Sequence, residues 1–178
     1  MTDATKPGDR GIWKRALITV PAIVIAGSLI GYLSNSGFGN DWYDPLRKPT
    51  FQPPGWVFGA TWTTLYTMMG IALATILNAP ASKQRSTALL LFFAQLALNF
   101  LWSPVFFGAG AIDWAFVIIL AMDVLVTMTI IASWKVRPLA GALLIPYLAW
   151  LCLATALNHE TGRLNPGADT APLGLTGA

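Results

Sequence analysis

Gln95, Asn99 and Trp102 are spaced i, i+4, i+7 in an otherwise apolar run, so a helix would set two amides and an indole along one stripe. Trp62, Tyr66 and Met69 repeat the spacing in an earlier run, and Tyr147, Trp150 and Ala154 give a third aromatic face later in the chain. Amides in an apolar setting must find hydrogen-bond partners across helices or on a guest molecule. Indole and phenol rings offer flat apolar surface with a polar edge. Together they suit non-covalent recognition of a flat conjugated or polycyclic ligand that has little need of counter-charge. For any single stripe plain helix packing is the favoured reading; three stripes that converge shift the balance to a shared cavity.

Other reactive groups are few. Asp123 is the ionisable residue well inside an apolar run, where a carboxylate is expensive and suggests function. At 100° per residue it points away from Trp114 on the same run, and no Lys or Arg lies at matching depth. A helix or subunit contact, with Thr127 as a bonding partner, is as good a reading as a proton relay. His159 is the single histidine, Cys152 the single cysteine, and a metal site needs roughly three or four such ligands, so no metal is expected. Cys152 reads as a small hydrophobe. Nucleophile elbow, phosphate-binding loop and dinucleotide fingerprint are all missing.

The elements that must carry these stripes follow from composition. The 178-residue chain is 55% apolar and 11% charged, against about 25% charged in soluble domains. A hydrocarbon core of about 30 Å needs roughly 20 apolar residues in helix. Five such runs occur, near Ala16–Leu33, Trp56–Leu77, Ala88–Phe107, Trp114–Ser133 and Leu139–Leu157. The expected fold is all-α, an integral membrane bundle of five transmembrane helices. The first run exceeds the length of a secretory signal core and is read as a retained span. Pro21, Pro104 and Pro146 fall inside runs and predict kinks. Trp13, Trp56, Trp114 and Trp134 stand at run ends, where indoles anchor helices in the headgroup layer. Gly27 and Gly31 form a GxxxG that permits close helix contact.

The expected organisation is a polar tail over 1–15, the five-helix domain over 16–165 and a tail without order over 166–178. Within the domain, residues 34–55 form the one long loop. Trp42, Tyr43 and Phe51 with Pro45, Pro49, Pro53 and Pro54 make it stiff, and it reads either as a lid over the bundle or as an interfacial loop anchored by aromatics. The basic residues form no stripe for nucleic acid. Lys6, Arg10, Lys14, Arg15, Lys83, Arg85, Lys135 and Arg137 fall on one side of the bundle and Arg47, Lys48 and Arg163 on the other, which predicts a cytoplasmic amino terminus.

Three blocks carry a resemblance to a known family. The first is Trp42-Tyr43-Asp44-Pro45-Leu46-Arg47-Lys48-Pro49 running into Pro53-Pro54-Gly55-Trp56 and Trp62-Thr63-Thr64-Leu65-Tyr66. The second is Gln95-Leu96-Ala97-Leu98-Asn99 with Trp102-Ser103-Pro104-Val105-Phe106-Phe107-Gly108. The third is Pro146-Tyr147-Leu148-Ala149-Trp150 with Ala154-Thr155-Ala156-Leu157-Asn158. In this order, over roughly residues 16 to 165, they resemble the TspO/MBR family, the tryptophan-rich sensory proteins related to the translocator protein or peripheral-type benzodiazepine receptor.

The resemblance implies a bundle, often a homodimer, in a bacterial cell membrane or its equivalent, whose pocket under the first loop takes porphyrins, sterols or synthetic ligands. It places Tyr43, Trp62, Asn99, Trp102, Trp150 and Ala154 in that pocket; the stripes add Tyr66 and Tyr147. The implied role is that of a receptor or sensor in tetrapyrrole or stress regulation, with porphyrin as ligand and no resident cofactor. A photo-oxidase in which Trp62 and Trp150 act on a porphyrin is the alternative, and a tetrapyrrole or sterol transporter a third. Two positions depart from the family pattern: no tyrosine precedes a basic residue near the end of the fifth run, and Ile118 stands where relatives carry an acid.

Overall fold

The computed structural model describes residues 7–177, with side chains from Gly11 onward. The charges of Lys6 and Arg10 in the tally above belong to side chains outside that range. The described residues contain helices, turns and loops but no strand. The order is α1 Pro7–Leu33, α2 Gly55–Leu77, α3 Lys83–Ser103, a π-helical turn Pro104–Gly108, α4 Ile112–Val136 and α5 Pro138–Leu164. Five helices are long and apolar enough to cross a membrane. The 23 residues of α2, at 1.5 Å rise each, reach about 35 Å, more than the hydrocarbon core.

Local sequence explains the helix ends. Ser82 caps α3, its hydroxyl accepting from Arg85 N at 3.2 Å. Pro7 and Pro138 begin α1 and α5, where the missing N–H has no intrahelical partner to lose. α1 therefore starts inside the segment expected as a polar tail: Pro7 opens it, and the two glycines that follow, Gly8 and Gly11, do not interrupt it.

α1 packs on α2, α3 on α4 and α4 on α5; α2 packs against α5, and a smaller contact between α2 and α3 closes the ring. The core between them is built from Leu65, Met69, Phe92, Met122, Leu144 and Tyr147, all buried. Close approach is set by small residues. A Cβ on Gly70 would lie 2.6 Å from Val20 Cα, and there the Thr19 hydroxyl donates to Gly70 O at 2.7 Å. Leu17, Ile18, Leu90, Phe93, Val124 and Ile131 point outward and are exposed. On helices of this length, that surface fits lipid. Trp13, Trp56, Trp114 and Trp134 are exposed as well, which matches their expected place at the interfaces.

Pro104 has the largest local consequence. It lacks an N–H and cannot continue the i→i−4 ladder. The chain widens into a π turn instead, with Ala109 N donating to Pro104 O at 2.9 Å. The turn swings Phe106 and Phe107 under the first loop.

The carboxyl-terminal segment, expected to carry little order, is fastened. Its residues hold no helix or strand, yet Leu173 N, Leu175 N and Thr176 N all donate to the Asp113 carboxylate. Its composition is polar and rich in Gly and Pro, and the acceptor that these amides reach is buried at the start of α4.

Candidate ligand-binding site

The floor of the site is a hydrogen-bonded triad across three helices. Asn99 of α3, nearly buried, accepts from the Tyr66 hydroxyl of α2 at 3.0 Å and donates through Nδ2 to the Tyr147 hydroxyl of α5 at 2.9 Å. Both ends of the amide are thus satisfied, as its depth demands. Tyr66 can lie flat here because Gly27 of α1 leaves room: a Cβ there would be 2.3 Å from the ring. Trp62 packs on Tyr66 at 5.2 Å between centroids and meets Tyr147 edge-on at 6.2 Å.

Above the triad is a cavity of about 560 Å³, within the usual range for small-molecule sites. Trp62 and Tyr66 of α2, Asn99 and Trp102 of α3, and Trp150 and Ala154 of α5 line it, with Tyr43 from the first loop. Its wall, among the described residues, includes no Asp, Glu, Lys or Arg. Trp150 meets Phe58 edge-on at 5.5 Å, and its Nε1 is buried without a protein partner among the described residues. Trp102 donates to Asn158 Oδ1 at 3.3 Å, and Asn158 Nδ2 continues to Ile112 O at 3.1 Å, so the indole is pinned to the start of α4.

The first loop closes the upper end. Asn40 is its knot: Oδ1 accepts from Trp42 N at 3.0 Å and Tyr43 N at 2.8 Å, while Nδ2 donates to Asn35 O and, across to the π turn, to Phe107 O. Gly37 and Gly39 take the positive φ of 98° and 92° that this reversal requires. Tyr43 is buried against Phe106 and Phe107, at 6.0 and 5.0 Å, and Phe106 in turn stacks on Trp102 at 4.8 Å. Tyr43 donates to Gln52 Oε1 at 3.1 Å. Burial pushes its phenol above the ordinary value, Gln52 partly offsets this, and the Asp44 carboxylate adds to the rise. Lys48 sits 4.0 Å over the Tyr43 ring and donates to the Tyr43 and Leu46 carbonyls. Burial lowers its ammonium pKa, with Asp44 opposing.

Seven of the eight residues expected in the site line the cavity: Tyr43, Trp62, Tyr66, Asn99, Trp102, Trp150 and Ala154. Tyr147 does not. It is fully buried, three residues or about 4.5 Å nearer the start of α5 than Trp150, and forms the underside of the floor as the partner of Asn99. Gln95 faces the interior as its stripe requires, but it too lies outside the cavity wall, and both its amide atoms lack protein partners among the described residues. Asp123 ties α4 to α5: Oδ2 accepts from the Thr155 hydroxyl at 2.8 Å. Thr127 bonds the backbone oxygen of Asp123 and not its carboxylate. His159 packs against Phe116 at 5.5 Å.

Sequence reasoning missed the share of α1. Gly27, Ser28, Gly31 and Tyr32 line the cavity, and the signal was the GxxxG, whose glycines face α2 and the cavity. It also missed Asn40, whose place after a glycine and before Asp41 is typical of an Asx turn.

Comparison with known proteins agrees with this layout. The model of the TspO/MBR family matches residues 18–164. The chain is 40% identical over 143 residues to the translocator protein of Homo sapiens, covering 79% of this chain and 85% of that one. It is 42% identical over 126 residues to the tryptophan-rich sensory protein of Cereibacter sphaeroides, covering 71% and 78%, and 40% identical over 156 residues to the tryptophan-rich protein TspO of Archaeoglobus fulgidus, covering 84% and 94%. With five apolar spans, this makes the protein a multi-pass integral membrane protein. It belongs to the TspO/MBR family.

Proposed function

We propose that the protein is a membrane receptor or sensor that holds a flat, largely apolar ligand of porphyrin type in the cavity between its helices, and through it serves tetrapyrrole or stress regulation. The observation that carries the reading is an uncharged cavity walled by three tryptophans, Trp62, Trp102 and Trp150. Flat rings gain stacking and apolar burial against such a wall. Tryptophan-fluorescence quenching by protoporphyrin IX, heme and cholesterol in turn tests the ligand class. Trp62→Ala and Trp150→Ala should each weaken protoporphyrin binding about tenfold, the loss of one aromatic contact and its burial. Unchanged affinity in both variants would overturn the reading.

A second reading is favoured by one observation: Trp62 and Trp150 both stand at the cavity wall, where indoles can exchange electrons with an illuminated porphyrin. Illumination of the porphyrin-loaded protein in oxygen separates the two. A photo-oxidase bleaches the porphyrin faster than its Trp62→Phe, Trp150→Phe double variant does, and a receptor does not. Flux of porphyrin across liposomes tests the transporter.

By the excess of basic residues flanking α1 and in the two gaps on its side, the amino terminus faces the cytoplasm of a bacterial cell membrane. Labelling of cysteines placed in the first loop, from outside intact cells, tests that orientation. The reading includes a homodimer, tested by cross-linking in native membranes. Gly27 and Gly31 face the cavity, so the seam would use another face.

A further inference from the structure

The family match ends at residue 164, and the chain beyond it is fastened to the elements that close the cavity. Asn165 brackets Arg47 of the first loop, accepting from Arg47 N at 2.7 Å and donating to Arg47 O at 2.9 Å. Ala168 O accepts from the Trp42 indole at 3.2 Å. Thr170 bonds Gly110 O and Ala109 O after the π turn, and Gly110 lies so close to Trp42 that a Cβ would be 2.9 Å from the indole. The last attachment is Asp113 at the start of α4. Its carboxylate is wholly buried and accepts from Leu173 N at 2.7 Å, Leu175 N at 3.1 Å, Thr176 N at 2.9 Å and the Thr176 hydroxyl at 2.6 Å. In return Asp169 Oδ2 accepts from Asp113 N at 2.7 Å, filling one of the unpaired N–H groups at the start of α4.

We propose that residues 165–176 are a strap that holds the first loop shut over the cavity, with Asp113 as its buckle, so that ligand exchange requires release of the strap. The loop and the strap share Trp42 and Arg47, and Trp42 adjoins Tyr43, which lines the cavity. The strap has almost no apolar cover of its own. Leu173 and Leu175 are exposed, and of its side chains only Thr176 is buried, in a niche at Gly162 where a Cβ would strike the hydroxyl at 2.0 Å. Beyond the bonds of Asn165, Ala168, Asp169 and Thr170, the attachment of its last residues rests on charge-assisted hydrogen bonds to one carboxylate. A segment of that kind opens locally at low free energy, without unfolding the bundle.

The test uses the full chain, an Asp113→Asn variant, a Thr176→Val variant and a deletion of residues 173–178. Asp113→Asn sets an amide N–H₂ against N–H donors; Thr176→Val removes one bond while preserving shape, and serves if the other two fail to fold. The first readout is hydrogen exchange of the loop amides of Asp44, Leu46 and Arg47, which needs no ligand. A strap predicts exchange faster by about tenfold or more in Asp113→Asn and in the deletion, and less in Thr176→Val. Unchanged loop exchange would overturn the proposal.

The second readout is the dissociation rate of protoporphyrin IX in stopped flow, which rests on the function proposed above. Faster dissociation together with faster loop exchange supports the strap as a gate. Faster loop exchange with an unaltered dissociation rate overturns the gate. Failure of the unaltered protein to bind protoporphyrin would count against the ligand reading, and loop exchange would still judge whether the strap fastens the loop.

Discussion

Asn99→Leu is the sharpest test of the site's architecture, because the amide holds two phenols on two other helices. The substitution keeps the branched four-heavy-atom shape of the side chain but leaves the Tyr66 and Tyr147 hydroxyls without their partner, the second in a fully buried side chain. Interhelical hydrogen bonds in membrane proteins contribute about 0.6 kcal/mol on average and up to about 1.7. Two bonds at a site this enclosed sit near the upper end, so the loss should be about 2–3 kcal/mol, which in a chain of this size lowers Tm by about 5–10 °C. Thermal unfolding in one detergent, followed by intrinsic fluorescence, reads the effect. The control is the triple variant Tyr66→Phe, Asn99→Leu, Tyr147→Phe. Removing every member of a polar network is far less harmful than orphaning part of it, so the triple variant should recover at least half of the lost stability. If Asn99→Leu is as stable as the starting protein, or the triple variant is less stable still, the triad does not hold the floor of the cavity.

Three further outcomes follow from the same geometry. Gly27→Ala places a methyl 2.3 Å from the Tyr66 ring; the ring must move, and protoporphyrin affinity should fall by about tenfold or more while the protein still folds, as overpacking at one contact costs about 1–3 kcal/mol. Asn40→Ala removes both bonds from Oδ1 and both from Nδ2; proteolysis between residues 34 and 54 should quicken at least tenfold, since about 1 kcal/mol or more is lost per buried bond. Phe106→Ala empties the ring position that Trp42, Tyr43, Trp102 and Phe107 share; it should cost about 3–5 kcal/mol, seen as the largest Tm loss of the set.

The outcome at particular residues shows why some of this was readable in the chain and some was not. The seven indoles of the apolar runs and their ends divide cleanly, Trp42 of the first loop standing apart. Trp13, Trp56, Trp114 and Trp134, at run ends, are exposed, whereas Trp62, Trp102 and Trp150, inside aromatic stripes, line the cavity. Helical period alone separates these two groups, since a residue's angle and depth on a helix are fixed by its number. Tyr147 shared its stripe with Trp150 but ended under the floor, because a stripe gives direction and not the height at which a neighbouring helix fills the space. Asp113 was overlooked: it lies one residue outside the run that begins at Trp114, and only the return of the chain from residue 165 brings four donors to its carboxylate.

Amino-acid order by itself determined that this chain crosses a membrane five times as helices, and which faces of α2, α3 and α5 turn inward. Lipid offers no partner to amides and little to indole N–H groups, so their spacing is enough. Tertiary structure alone decided the rest: the share of α1 in the cavity, the seating of Phe106 and Phe107 beneath Tyr43, and the fastening of the tail. Those features depend on residues 51 or more positions apart meeting at hydrogen-bond distance, as Thr19 and Gly70 or Asp113 and Thr176 do, and no local pattern encodes where a distant segment will come to rest.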